Sequence, residues 1–182
     1  GTIMLKWFKP TWMVNSIYSI TPAQLEENNI KAVLTDLDNT LIAWNNPEAT
    51  EESIFWIENM KKAGIPVIIL SNNSGQRVKV VAEHLGLDYI PRSLKPSRRG
   101  FRLAQKKLGL PKEQIVMVGD QIMTDVLAAN RFGVRNILVK PILASDAWNT
   151  KFNRFVELKV MKALIQSVPN MKWGDSLDEP IR

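Results

Sequence analysis

A chain of 182 residues, 45% hydrophobic and 23% charged, suits one domain with a real core, since cores stop growing at about 250–300 residues. It has no cysteine and a single histidine, His84, which excludes disulfides, thiolate metal sites and multi-histidine zinc sites. Chemistry in such a chain has to rest on carboxylates, hydroxyls, lysine and a hard cation, and a net charge of +6 points to an anionic partner.

The chain starts with a basic, aromatic segment over 1–29. Lys6-Trp7-Phe8-Lys9-Pro10-Thr11-Trp12-Met13 mixes cations with rings and carries no acid; this suits a membrane interface, and packing onto the domain uses the same residues. Thr21, Pro22 and Gln24 read as a capped helix start, giving a short helix to about Asn28. Ala32-Val33-Leu34-Thr35 is a brief β-rich run ending in Asp36. Asn46-Pro47 opens a predicted helix carrying Ile54, Phe55, Ile57 and Met60 at helical spacing, closed by Gly64. Ile65 to Leu70 is a continuous apolar run, the pattern of a strand buried on both faces.

Gly75 to Leu85 reads as a helix stopped by Gly86, Asp88-Tyr89-Ile90 as a short strand, and Ser97 to Leu108 as a helix stopped by Gly109. Ile115 to Val118 is a strand ending in Gly119-Asp120, followed by a helix to Phe132. A fifth strand spans Val134 to Val139 and a last helix Phe152 to Ile165. Strands alternating with helices predict an α/β domain over 30–168, with a central parallel sheet of about five strands covered on both sides. Residues 169–182 read as a polar tail. No run approaches the ~18 apolar residues of a spanning helix and no signal-peptide pattern is present, so a cytoplasmic chain is expected, with peripheral contact at the inner membrane face left open.

Ligands of open α/β sheets bind beyond the carboxyl ends of the strands, and four chemically loaded segments fall there. Asp36-Leu37-Asp38-Asn39-Thr40 sets two carboxylates two apart at a strand end, one able to attack phosphorus and one to handle a leaving group's proton. Alone it is weak, arising by chance in roughly a few per cent of chains. Leu70-Ser71-Asn72-Asn73-Ser74-Gly75 offers a hydroxyl and backbone N–H groups at a helix start, which suits phosphate oxygens. Leu94-Lys95-Pro96 brings a lysine that can offset repulsion between a carboxylate and a phosphoryl group. Val118-Gly119-Asp120-Gln121-Ile122-Met123-Thr124-Asp125 supplies two acids for an oxygen-rich Mg²⁺ site with Asp36. Each segment alone also reads as ordinary capping or surface chemistry; the joint order carries the weight.

Charge is uneven. Arg92, Lys95, Arg98, Arg99, Arg102, Lys106, Lys107 and Lys112 follow one another with no acid between them, a pattern for a phosphorylated ligand, nucleic acid or an anionic membrane, and also for a solvated helix face. Trp148 with Lys151, Arg154, Lys159 and Lys162 gives the last segment a second basic aspect.

These segments resemble the haloacid dehalogenase (HAD) superfamily: motif I at Asp36 to Thr40, motif II at Ser71, motif III at Lys95 and motif IV at Gly119 to Asp125, spanning about Ile30 to Val139. The resemblance implies a three-layer Rossmann-like fold. Caps in the superfamily enter between motifs I and II or II and III, and both intervals are filled here by core elements, which implies a capless, open site with Trp44 on a short flap. Asp36-Leu37-Asp38-Asn39-Thr40-Leu41, Ser71-Asn72-Asn73, Leu94-Lys95-Pro96 and Gly119-Asp120-Gln121 with Thr124-Asp125 look like the YqeG-type branch of subclass IIIA, similar to phosphatidylglycerophosphate phosphatases.

What the resemblance implies is a Mg²⁺-dependent phosphatase. Asp36 is the expected nucleophile, passing through an aspartyl-phosphate, and Asp38 the acid and base. The expected metal ligands are Asp36, Asp38 through its backbone carbonyl, Asp120 and Asp125, the last direct or through water. Ser71, the Asn72 amide and Lys95 are expected on the phosphoryl oxygens. The expected substrate is a phosphomonoester, phosphatidylglycerophosphate first. A nucleotide or nucleic-acid end phosphatase, and a non-catalytic ribosome- or membrane-associated binding module on the same fold, are the alternatives.

Overall fold

The structure, a computed structural model, describes residues 5–73, 75–93, 95–143, 151–169 and 171–181; Ser74, Leu94 and Trp148 lie outside the described residues. In chain order the main elements are β1 (Trp12–Val14), α1 (Pro22–Glu27), β2 (Ala32–Thr35), α2 (Glu51–Lys62), β3 (Val67–Leu70), α3 (Gly75–Leu85), β4 (Asp88–Ile90), α4 (Arg99–Leu108), β5 (Ile115–Gly119), a π-helical turn (Ile122–Val126), α5 (Leu127–Phe132), β6 (Arg135–Val139) and α6 (Lys151–Ser167). The strands form one open parallel sheet in the order β1-β6-β5-β2-β3-β4.

Alternation along the strands divides the core into layers. Val33, Val67, Ile69, Val116, Val118 and Ile137 face one side, where Trp56, Ile57 and Met60 of α2 and Val78, Val81 and Leu85 of α3 cover them. Ala32, Leu34, Ile68, Leu70, Ile115 and Met117 face the other, against Phe101 and Ala104 of α4 and Ala128, Ala129 and Phe132 of α5. The expected helix–sheet–helix sandwich is present, and between motifs I, II and III the chain forms core elements with no added cap domain.

The sixth strand, β1, comes from the basic aromatic segment. Trp12, Met13 and Val14 are buried, whereas Trp7 is 41% exposed, so one part of that segment packs and the other faces solvent. Residues 171–181 lie along the outer edge of β1: Gly174 N–H donates to Met13 O (3.0 Å), Asn15 N–H to Gly174 O (2.9 Å) and Ile181 N–H to Thr11 O (2.9 Å). An edge strand covered this way offers no free ladder to a second chain.

Two helix starts differ from expectation. α2 begins at Glu51 rather than at Asn46-Pro47, because Thr50 and Ser53 form a reciprocal capping box there. Within it Phe55 is 65% exposed and Trp56 takes the core position, its Nε1 donating to Ile20 O at 2.9 Å. The helix expected from Asp120 opens instead as the π-helical turn Ile122–Val126.

Candidate active site

Register brings the motifs together. β2 lies between β5 and β3, with Thr35 beside Val118 on one side and Ile69 on the other. Asp36, one residue on, still donates its N–H to Val118 O at 3.0 Å. Its carboxylate therefore emerges at the sheet's carboxyl edge between Gly119-Asp120 and Leu70-Ser71. Past it the chain turns tightly: Leu37 O accepts N–H bonds from Thr40, Leu41 and Ile42 at 3.3, 3.0 and 3.2 Å. Asn39 takes a left-handed φ of 62°, a conformation asparagine tolerates.

Asp36, Asp120 and Asp125 each offer a carboxylate oxygen within 4.8 Å of the others. Thr40 Oγ1 donates to Asp120 Oδ1 at 3.1 Å. Asp125, 1% exposed, accepts from Gln121 N–H at 3.2 Å and reaches the sheet edge because residue 119 has no side chain. A Cβ on Gly119 would stand 2.3 Å from the Asp125 carboxyl group, far inside contact distance.

Lys95 is buried, at 6% exposure. Its ammonium donates to Asp125 Oδ1 (2.6 Å), Leu70 O (3.0 Å) and Asp36 Oδ1 (3.1 Å), which uses all three hydrogens. Asn72 fixes the backbone that carries it: Asn72 Nδ2 donates to Lys95 O (3.0 Å), while Asn72 Oδ1 accepts from Lys95 N–H (2.8 Å) and Ser93 Oγ (3.0 Å). The Asn72 side chain is thus occupied in holding the lysine loop. Ser71, 2% exposed, accepts the Asn73 N–H at its Oγ (3.1 Å).

The acids outnumber the cation. With all three carboxylates ionised, one ammonium would leave two negative charges uncompensated. Burial first, then the neighbouring carboxylates, push Asp120 well above the ordinary carboxylate range. Burial likewise raises Asp125 to about 7, against the pull of Lys95. For Lys95 burial works against the cation, but Asp125 and Asp36 outweigh it and its pKa is raised. An all-oxygen cluster short of two positive charges fits a divalent hard cation.

Asp38 stands outside this group. Its Oδ1 accepts from Arg77 Nε at 2.8 Å and its Oδ2 from the Asn73 side-chain amide. Burial raises its pKa while the Arg77 bond opposes the rise. Asp36 and Asp38, two residues apart, therefore serve different surroundings.

A family model for haloacid dehalogenase-like hydrolases matches residues 47–133. Over 162 residues the chain is 46% identical to the probable phosphatase YqeG of Bacillus subtilis, covering 89% of this chain and 94% of that one. The chain belongs to the haloacid dehalogenase-like hydrolases, in their YqeG-type phosphatase branch. A more distant relative is phosphatidylglycerophosphate phosphatase 1 of Arabidopsis thaliana, 25% identical over 148 residues that cover 76% of this chain and 42% of that one. The crystal structure of an uncharacterized protein from Listeria monocytogenes shares the fold, with a TM-score of 0.50 and 21% identity over 73% of this chain and 99% of that one.

Two residues of this YqeG-type chain bear on the site without having been legible as site residues. Arg77, in the first turn of α3, holds Asp38 and also donates to Ala43 O (3.0 Å) and Asn46 O. Glu157 of α6 accepts Ile122 N–H (2.8 Å) and Met123 N–H, so it caps the π-helical turn that carries Asp125; burial raises its pKa and those N–H bonds lower it. Glu157 is the only acid in Lys151–Ser167, and a lone acid in a basic helix is the signal that could have found it. The rest of the basic run divides: Lys95 is in the site, while Arg98, Arg99, Arg102, Lys106 and Lys107 are exposed around α4. His84 is exposed at the far end of α3 from Gly75. Among the described residues no helix is long and apolar enough to cross a membrane.

Proposed function

We propose that the chain is a Mg²⁺-dependent phosphomonoester hydrolase with Asp36 as nucleophile and Asp38 as general acid and base. The observation that carries this is the split between the two acids. Asp36 shares a 4.8 Å cluster with Asp120 and Asp125 and touches Lys95, whereas Asp38 is held by Arg77 and Asn73.

Asp36 attacks phosphorus, forming an oxygen–phosphorus bond as the bond to the ester oxygen breaks. Asp38 gives its proton to the departing alkoxide, then takes one from the water that attacks the acyl phosphate; phosphate leaves and the Asp36 carboxylate is restored. Lys95, bonded to Asp36, offsets repulsion between the carboxylate and the phosphoryl group. Ser71 Oγ and the Asn72 backbone N–H are assigned to phosphoryl oxygens. Asp36, the Asp38 backbone carbonyl and Asp120, with Asp125 directly or through water, would hold Mg²⁺, which would neutralise charge on the phosphoryl oxygens.

Phosphatidylglycerophosphate is the first substrate to test. The Arabidopsis relative supports it, and so does the surface of α6. That helix exposes Phe155, Leu158 and Ile165 beside exposed Lys159 and Lys162, while Glu157 is turned to the backbone of residues 122 and 123. Apolar side chains among lysines, with the helix's one acid turned away, suit an anionic lipid surface. The exposed cations of α4 favour the second reading, a nucleotide or nucleic-acid end phosphatase.

A panel of p-nitrophenyl phosphate, the lipid phosphate in mixed micelles, nucleotides and 5′- or 3′-phosphorylated oligonucleotides, each with Mg²⁺ or chelator, separates these. The expected result is chelator-sensitive hydrolysis, fastest on the lipid phosphate. Salt-sensitive turnover of oligonucleotide ends supports the second reading, and no Mg²⁺-dependent hydrolysis of any ester rejects both.

A further inference from the structure

Arg77 has no assigned part in the reaction, yet its guanidinium is more tightly determined than a surface arginine needs. It issues from the first turn of α3 and reaches across to the motif I loop. Nε donates to Asp38 Oδ1 at 2.8 Å, Nη2 to Ala43 O at 3.0 Å, and Nη1 to Asn46 O. Three acceptors fix the plane of the fork, which a lysine, a single point of charge, cannot reproduce. The acceptors lie on one stretch of chain: Ala43 and Asn46 flank Trp44, which is 40% exposed. The other Asp38 oxygen takes the Asn73 side-chain amide, so both oxygens of this half-exposed carboxylate are oriented from outside its own loop.

We propose that Arg77 is a positioning residue for proton transfer: it pins the Asp38 carboxylate to the 43–46 turn and so fixes where the proton is delivered to the leaving oxygen. The idea rests on the role given to Asp38 above. An unpinned aspartate next to a carboxylate cluster is free to rotate toward a bound cation, where it serves as a ligand and no longer as an acid. Arg77 opposes that rotation while tying the same carboxylate to the backbone on either side of Trp44.

The test exploits leaving-group chemistry. p-Nitrophenolate departs without help, whereas an alkoxide needs its proton. Wild type, Arg77→Met, Arg77→Lys, Asp38→Asn and the Asp38→Asn/Arg77→Met double variant are compared by kcat/KM on p-nitrophenyl phosphate, phenyl phosphate and glycerol 3-phosphate. kcat/KM reports the step in which the ester bond breaks. Arg77→Met is expected to lose on the order of a hundredfold on the alkyl ester and about tenfold or less on p-nitrophenyl phosphate. Arg77→Lys should fall between Arg77→Met and wild type. The double variant should be no slower than Asp38→Asn on the alkyl ester, since the two act as a unit.

Equal losses across the three esters, or additive losses in the double variant, overturn the proposal. Thermal melting identifies a variant that fails to fold; if that is Arg77→Met, the comparison of Arg77→Lys with wild type carries the same ester dependence. Asp36→Asn separates the two levels of inference. Activity in that variant removes the nucleophile assignment itself, whereas an inactive Asp36→Asn with ester-independent Arg77 losses removes only the positioning role.

Discussion

Around Asp36 the surroundings are buried and overloaded with acid: Asp120, Asp125 and a lysine whose three hydrogens are all taken. Around Asp38, two residues on, they are half-exposed and cationic, with an arginine and an amide. The sheet builds the first half, since Asp36, Lys95 and Asp120 follow strand ends or sit against them. Loops and a helix turn build the second. The difference teaches that one short motif feeds two kinds of chemistry because its two carboxylates leave the strand end in different directions. The buried half stores charge that a divalent ion can neutralise. The open half orients a proton carrier.

Breaking the buried half should have the largest consequence. Lys95→Met strands Asp36 and Asp125 without their ammonium, and removing one partner of a buried charge cluster costs about 3–5 kcal/mol. Thermal melting without metal should fall accordingly, and Mg²⁺ should restore stability without restoring turnover. Next comes Gly119→Ala. Its new Cβ would stand 2.3 Å from Asp125 and displace that carboxylate, and a displacement of about 1 Å in such a site can cost on the order of a hundredfold in rate. Steady-state rates and Mg²⁺ titration should show weaker metal response with the fold retained.

A third prediction sharpens the contrast through pH. Asp120 and Asp125 are shifted up in the folded protein, Asp125 to about 7, so between the ordinary carboxylate range and about 7 the folded state holds more protons than the unfolded one. Stability then falls as pH rises through that window. The raised Lys95 is charged in both states across it and does not alter the slope. Metal-free protein should melt higher at mildly acidic pH than at pH 8, and Mg²⁺ should raise the melting temperature more at pH 8. At a hundredfold excess over its dissociation constant, that rise is roughly 5–10 °C. Differential scanning at the two pH values decides it. The smallest effect belongs to the exposed pair Lys107–Asp88 at 3.5 Å, whose side chains are 53% and 61% exposed. Lys107→Ala should change unfolding free energy by no more than about 1 kcal/mol in denaturant titration.

How much could be read beforehand depends on what each feature leaves in the local pattern. Apolar runs at Ile65 to Leu70 and Ile115 to Val118, with a glycine stop after each of α2, α3, α4 and α5, wrote the parallel sheet into the chain, and the strand-end rule then gathered Asp36, Ser71, Lys95 and Asp120 at one edge. β1 was hidden because three residues among lysines and aromatics make no periodic signal. The true start of α2 was hidden by Asn46-Pro47, a strong cue whose backbone instead serves Arg77. Arg77 and Glu157 act by reaching across the fold, and a helical sequence does not record which side chain crosses to another element. The close approach that Gly119 permits is likewise invisible until Asp125 is seen against it.

The most direct measurement is acid-quenched analysis of Asp38→Asn protein mixed rapidly with p-nitrophenyl phosphate and Mg²⁺. Without its acid–base partner the second step should stall, giving a burst of p-nitrophenolate and a phosphoryl group on the peptide carrying Asp36, absent when Asp36 is also changed to Asn. Turnover with no burst and no phosphorylated Asp36 peptide, or full activity in Asp36→Asn, would contradict the account.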